Sequence, residues 1–599
     1  MAIRENQIRP TFIRAKTVAI LCLLPSLFMT NQSPAQENDS YPRTAVFHFG
    51  KTAPADWYAR FNLVDIRTAD PEVAKAIKAL NPKTLVFGTR DWNNGSLFKP
   101  TDPAYRTYHS DGTPVFIYGS RTNNFTVNFS DFCGKINGLR YNEALPRAVL
   151  NSHNQSAFDG IATDGLWMKP RQAEKDQDID LDRDGKNDYN QHGRDWVNEK
   201  WKAGVDKVLT EINRLNNNRP LILNSGRFHL ESEGFDWSNH NGLILENTRR
   251  MNDISYFKRI YENWVSQARK PHLLLFDGLG NHKEDYVHMR YLLGLALFGD
   301  GYFCFSDNSL HHYHYYYDEF DVDLGQPTTG MTLLRETGPK GEGVYARFFT
   351  KGAVIVNAGG SSQRVSDADL KRVAGYAGPY FSFQGNQDPT TNSGSDFSEI
   401  QLKGERDGRN RVLGDAILLT SRKMIVVADI IIDNDERGTT PGSQPAAFKG
   451  SWVPENDRAN QAWAMSYRAR KGDYAMTHIF PGSGEATATF TPTIGVPGKY
   501  RVYEWHGDLE GASEASNTSY EIHHAGGTSH GRIDQRGRKG LWNFLGEYRF
   551  NRGTSGYARI SNDADDTVIA DAFKFVYTEG TEQADTTPPS PPTGVRVSK

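Results

Sequence analysis

The chain has 599 residues, 38% hydrophobic and 12% aromatic, with 69 basic against 72 acidic side chains and a formal net charge of -3. Those values exclude a disordered or collagen-like polymer, and at roughly 100 to 250 residues per domain they ask for two to four domains, each burying its own core. Without surplus positive charge to neutralise phosphates, neither nucleic acid nor an anionic membrane is expected as a partner.

Arg4, Arg9, Arg14 and Lys16 precede a mostly apolar run from Thr17 to Thr30, followed by Ser33-Pro34-Ala35. This is the pattern of a secretory signal peptide over residues 1–35. The run is shorter than the ~20 residues that span a bilayer, so a secreted protein, extracellular or periplasmic, with no membrane partner after cleavage, is expected. Cys133 and Cys304 are too few to make a disulfide framework.

Over residues 41–329, short apolar runs alternate with amphipathic stretches. Candidate strands are Ala45–Gly50, Leu63–Arg67, Thr84–Asp91, Phe158–Asp164, Pro220–Ser225, Gly242–Glu246, His272–Asp277 and Gly301–Ser306. Eight such units predict a (β/α)8 TIM barrel. Asp70 with Pro71 reads as a helix start, and Val197, Trp201, Val205, Val208, Ile212 and Leu215 make one apolar stripe. The stretch 93–150 is too long for a simple crossover and is expected to hold a hairpin (Val115–Tyr118 with Phe125–Phe129) and then a helix. Residues 330–437 read as a β-sandwich domain, with strands Val344–Thr350, Ala353–Asn357, Ala416–Thr420 and Met424–Ile432. A Gly/Pro/Ser-rich stretch leads into a second all-β module over 446–580, and 581–599 is a Pro-rich linker.

In such barrels the chemistry sits at the C-terminal ends of the strands. Strands four, six and seven end in Asp164, Glu246 and Asp277. Glycoside hydrolysis needs two carboxyl groups, one protonated to assist the leaving oxygen and one ionised to attack or to activate water. Asp164 is expected as the ionised group and Glu246, after Leu243-Ile-Leu245, as the acid, with Asp277 in reserve. The competing reading of each is a helix cap or an arginine partner. His48, Asp91 and Asn224 end strands and are expected to bind substrate hydroxyls, alongside Trp92 and Trp167. Arg90 lies where it would neutralise the carboxylates. The run His311-His-Tyr-His-Tyr-Tyr-Tyr-Asp-Glu-Phe320 would lie over the same mouth, where Tyr313, Tyr315 and Asp318 would meet sugar; packing between domains is the equal alternative. No nucleophile elbow, HExxH or Walker loop competes.

Asp180-Leu-Asp-Arg-Asp-Gly-Lys-Asn-Asp188 has carboxylates at relative positions 1, 3 and 5 and Gly at 6, the first half of an EF-hand-type loop. Asp180, Asp182, Asp184, Lys186 through its carbonyl, and Asp188 are the candidate ligands of a structural Ca2+. Gln191 stands where the bidentate Glu would be, and a solvated loop without an ion is the alternative. No organic cofactor is expected.

Through His48-Phe-Gly50, Asp159-Gly-Ile-Ala-Thr-Asp-Gly165, Asp180-Leu-Asp-Arg-Asp-Gly185 and Tyr317-Asp-Glu-Phe-Asp-Val-Asp-Leu-Gly325, the first half resembles the hypothetical glycoside hydrolase family fifteen-like proteins. Through Tyr520-Glu-Ile-His-His-Ala-Gly-Gly527, Trp542-Asn-Phe-Leu-Gly546 and Ile569-Ala-Asp-Ala-Phe573, the segment 448–580 is similar to the golvesin/Xly-type carbohydrate-binding-like domain. These resemblances imply a secreted glycoside hydrolase acting on a polysaccharide substrate. A non-catalytic carbohydrate-binding or adhesion protein and a polysaccharide lyase are the alternatives. Trp505, Trp542 and Tyr520 are the candidate glycan platform of the last module.

Overall fold

The computed structural model describes residues 40–47, 53–67, 70–92, 102–116, 125–153, 156–224, 236–248, 254–307, 313–455, 463, 476–509 and 512–579. Residues 1–35, where a signal peptide is expected, His48, His311, His312 and the Pro-rich stretch 581–599 lie outside the described residues.

Eight parallel strands close into a barrel in chain order: β1 (Arg43–Phe47), β2 (Leu63–Arg67), β3 (Leu85–Asp91), β4 (Gly160–Asp164), β5 (Leu221–Asn224), β6 (Gly242–Thr248), β7 (Leu275–Gly280) and β8 (Tyr302–Asp307). Pairing of β1 with β8 completes the ring. The period of two in each strand separates two apolar sets. Ala45, Phe47, Leu63, Phe87, Ala162, Ile222, Ile244, Leu275, Tyr302 and Cys304 fill the interior. Val46, Val64, Val86, Ile161, Leu223, Leu245, Phe276 and Phe303 face the other way and join the larger core beneath the helices.

The expected helices are present. Pro71–Leu80 begins with proline at its first position, but Asp70 caps it only through its backbone carbonyl, which accepts from the Ala74 N–H, and not through its side chain. Arg194–Leu215 buries Val197, Trp201, Val205, Val208 and Ile212 along the stripe. In the long β3–β4 connection the described residues of the expected hairpin form isolated bridges, Phe116 with Phe125 and Arg106 with Val127, and residues 117–124 lie outside the described set. Tyr141–Ser152 is the helix after them.

After the barrel a five-stranded antiparallel sheet runs Phe381–Ser382, Asp415–Thr420, Gly352–Asn357, Gly343–Phe349, Thr332–Glu336. One face packs Val344, Ala346, Phe348, Ile355 and Leu419 against Val365 and Leu402 of a two-stranded sheet. The other face, through Val356 and Ala416, meets Gly294 of the helix Tyr286–Ala296. The strand expected over Met424–Ile432 is displaced: Ile430–Asp433 pairs with Ala572–Tyr577, the last strand of the C-terminal module. That module stacks a four-stranded sheet on a five-stranded one, with Val502, Phe575, Ile522 and Ile560 between them.

Two buried polar groups lock the regions together. Arg290 Nη1 meets Asp388 at 2.6 Å, and its Nη2 lies 3.5 Å from Asp415. Asp318 accepts N–H bonds from Asn386 (2.6 Å), Gln387 (2.8 Å) and Ala428 (2.9 Å). Among the described residues no helix is long and apolar enough to cross a membrane.

Candidate active site

The inward alternation that fills the barrel with apolar side chains turns polar at its C-terminal end. Counting two residues on from the interior set gives Thr89 and Asp91 on β3, Asp164 on β4, Asn224 on β5, Glu246 on β6, Asp277 on β7 and Ser306 on β8. Asp91 and Asp164 are register partners on adjacent strands.

Asn224 joins the two principal candidates. Its Nδ2 donates to Asp164 Oδ1 and to Glu246 Oε2, both at 3.1 Å. Those two oxygens are therefore no further apart than twice that distance. Asn224 is fully buried, while Asp164 and Glu246 keep partial exposure. Burial, then the charges of Asp91 and Glu246, holds the Asp164 carboxyl well above the usual carboxylate range; the Gly165 N–H acts weakly the other way. This direction runs against the expectation that Asp164 is the ionised member.

Asp277 stands in a second, fully buried group. His314 Nε2 lies 3.1 Å from Asp277 Oδ1, and the Cys304 thiol is 3.7 Å from the same oxygen. These three side chains are close enough to hold one metal ion. Burial and the neighbouring Asp277 push the Cys304 thiol well above its usual range, which disfavours the thiolate that a metal would require.

One acid was not anticipated. Asp65 on β2 is fully buried, takes a hydrogen bond from Thr89 Oγ1 and leaves Oδ2 without a partner. Burial above all, with a contribution from Asp164, raises its pKa well above the carboxylate range. The signal was present in Leu63-Val-Asp-Ile-Arg67, an acid at an inward position two residues after a core leucine, but it lies before the strand's end.

Several expected substrate contacts are absorbed by packing. Trp92 points away from the mouth, is fully buried, and its carbonyl accepts from Tyr141 Oη at 2.5 Å. Trp167 is buried beside Trp201, which donates Nε1–H to its carbonyl at 3.0 Å. Tyr315 is buried with its hydroxyl on Asp307 at 3.1 Å, and Tyr313 lines a narrow seam with Trp57 and Trp463. Asp318, fully buried, anchors the barrel to residues 386–428 and is closed to sugar. The tyrosine run thus packs the barrel against the C-terminal regions. Arg90 faces outward, where it and Arg219 add to burial in lowering the pKa of His153 to about 4. Trp505 and Trp542 pack with Trp463 in a core continuous with the barrel, at ring separations of 5.0 Å from each other and 5.6 and 4.8 Å from Trp463. They are not an open platform, and Tyr520 packs against the sandwich core.

The acidic loop is formed as expected in part: Asp180, Asp182 and Asp184 each offer an oxygen within 4.8 Å of the others. Lys186 is exposed and Asp188 is buried.

Comparison with known proteins agrees with the two resemblances. Residues 90–353 match the family described as hypothetical glycosyl hydrolase family 15, and residues 438–577 match the golvesin C-terminal domain. The chain is 39% identical over 102 residues to a xanthan lyase of Bacillus sp. (strain GL1), a match covering 16% of this chain and 10% of that protein. Among solved structures it is similar to Paenibacillus xanthan lyase, with 17% identity over 44% of this chain and 26% of that one and a TM-score of 0.21. It is also similar to the glycoside hydrolase domain of PelA from Pseudomonas aeruginosa, with 11% identity over 46% of this chain and 98% of that one and a TM-score of 0.29.

Proposed function

We propose that this protein is an exported carbohydrate-active enzyme that hydrolyses a glycosidic bond in a polysaccharide, with Asp164 as general acid and Glu246 as nucleophile or base. The observation that carries the reading is the single Asn224 amide bonded to both carboxyl groups in the polar top layer of a closed barrel. The protonated Asp164 delivers its proton to the leaving oxygen as the glycosidic bond breaks. Glu246 is the partner that attacks the anomeric carbon or takes a proton from water. Asn224, donating to both, keeps the pair oriented. The limit it sets on their spacing favours the close arrangement of retaining enzymes, about 5 to 5.5 Å between carboxyl groups, over the water-wide gap of inverting ones. The family descriptions of the two matched segments support the substrate class.

The test is reducing-end release from a panel of polysaccharides by the full chain. Asp164→Asn and Glu246→Gln are each expected to lower turnover at least ~10²-fold while leaving folding intact. Near-native turnover in both variants would remove the pair from the mechanism. Proton NMR of the first-formed anomer should show retained configuration.

A lyase reading has one observation in its favour, the identity to xanthan lyase over 102 residues. Ultraviolet absorbance of an unsaturated uronic-acid product, without a water-derived reducing end, would establish it instead.

A further inference from the structure

The connection after β4 folds Asp180–Asp188 into a tight loop. The Asp184 N–H donates to Asp180 Oδ1 (3.1 Å) and Asp182 Oδ1 (3.2 Å), and the Gly185 N–H donates to Asp180 Oδ2 (2.9 Å). Gly185 has φ 81, a left-handed conformation that a side chain would strain. Solvated acids cluster in this way without any ion, so the convergence of three carboxylates decides nothing by itself.

Asp188 supplies the separate observation. It is fully buried; Oδ2 accepts the Leu181 N–H at 2.7 Å, and Oδ1 has no hydrogen-bond partner. The nearest basic group, His192 Nε2, is 3.9 Å from that oxygen. A carboxylate oxygen taken out of water and left unsatisfied is costly unless a cation completes it.

The geometry points to a calcium site formed by Asp180, Asp182 and Asp184, with the main-chain carbonyl of Lys186 and the buried, unpaired oxygen of Asp188 at the ninth position as further oxygens on closure around the ion. The donors are all hard oxygens, in the order that a calcium loop uses at its first positions. Two features set its strength. Gln191 replaces the twelfth-position Glu and donates its amide to Asp184 Oδ2 at 3.1 Å, so one acidic ligand is missing. The exposed Lys186 ammonium lies 3.0 Å from that same oxygen and competes with the ion. A dissociation constant of about 10⁻⁴ to 10⁻³ M, the range of extracellular modules, is expected.

The ion's effect is transmitted by the loop's anchors. Arg183 Nη2 donates to the carbonyls of Pro103 and Ala104, both at 2.7 Å, and the Asp180 N–H donates to Tyr108 O at 2.9 Å. Calcium thereby ties together the two connections that leave Asp91 and Asp164.

The experiment is calorimetric titration of calcium chloride into chelator-stripped full-length protein, with melting curves on the same samples. One ion per chain and a melting temperature raised by roughly 1 to 2 °C at about 10 mM calcium are expected. Asp182→Asn, at an exposed side chain that folding does not need, and Asp188→Asn should each weaken binding at least about tenfold, the scale of one lost charged ligand. Lys186→Ala should tighten it, and Asp195→Asn on the neighbouring helix should leave it unchanged. No binding heat and no melting shift at about 10 mM calcium, well above the expected constant, would overturn the proposal. So would unaltered affinity in both Asp182→Asn and Asp188→Asn.

Discussion

Burial, then the charge of Asp91 facing it from the next strand and that of Glu246 sharing its amide donor, raise the pKa of Asp164 well above the usual carboxylate range. In the proposed mechanism Asp164 is the acid and must be protonated, so it sets the alkaline limb of the pH–rate profile, above the pH expected of an ordinary aspartate. Removing the Asp91 charge lowers the Asp164 pKa. Asp91→Asn should therefore move the alkaline limb of kcat/KM to lower pH; an unmoved limb would assign it to another group. Asp65 yields a stability prediction of definite sign. Its folded pKa is raised, so between the ordinary carboxylate value and the folded value the native state holds a proton that the unfolded chain has released. Its contribution is present at low pH and is lost as pH rises through that window. Asp65→Asn keeps an acceptor for Thr89 and abolishes the loss, and its melting temperature at pH 7 should equal or exceed that of the wild type.

At the scale of elements, strand register puts the acids together. A slip by one residue in β4 or β6 would send Asp164 or Glu246 into the helix layer and a leucine or threonine into the mouth. The sequence showed this layer well, since Asp164, Glu246 and Asn224 each stand two residues beyond an apolar inward position. It showed the β3–β4 connection poorly, because that segment is shaped by what it packs on. Gly204 marks such a contact on the helix Arg194–Leu215: a Cβ there would lie 1.8 Å from Phe129 O, the carbonyl that also accepts from Asn142 Nδ2 at 2.8 Å. Gly204→Ala cannot be relieved by a rotamer change. It should cost about 1–3 kcal/mol in urea unfolding, despite alanine's better helix propensity.

Across the whole molecule, barrel, central sheet and C-terminal module share buried polar anchors and one aromatic core, so they should unfold together. Asp318 accepts three N–H groups from segments C-terminal to the barrel. Asp318→Ala leaves those donors buried and unpaired, at about 1–3 kcal/mol each before relaxation. A loss of at least about 3 kcal/mol is expected, with the single unfolding transition splitting in two as the barrel loses its hold on the module. A single, barely shifted transition would mean that the aromatic contacts suffice.

The placement of Asp318 also shows where reading along the chain stops. Apolar periodicity is a local property, and it specified the eight strands, the polar turn at their C-terminal ends and the change to all-β architecture after residue 330. Whether an aromatic or acidic side chain meets solvent, substrate or another domain depends on partners hundreds of residues away. Trp505 and Trp542 became core because Trp463 and the barrel cover them, and Ile430–Asp433 changed sheets because Ala572–Tyr577 was there to pair with it. The surroundings of Asp164 were likewise decided only in three dimensions. Burial, then the charges of Asp91, on a neighbouring strand 73 residues earlier, and of Glu246 raise its pKa, and none of these is visible along the strand itself.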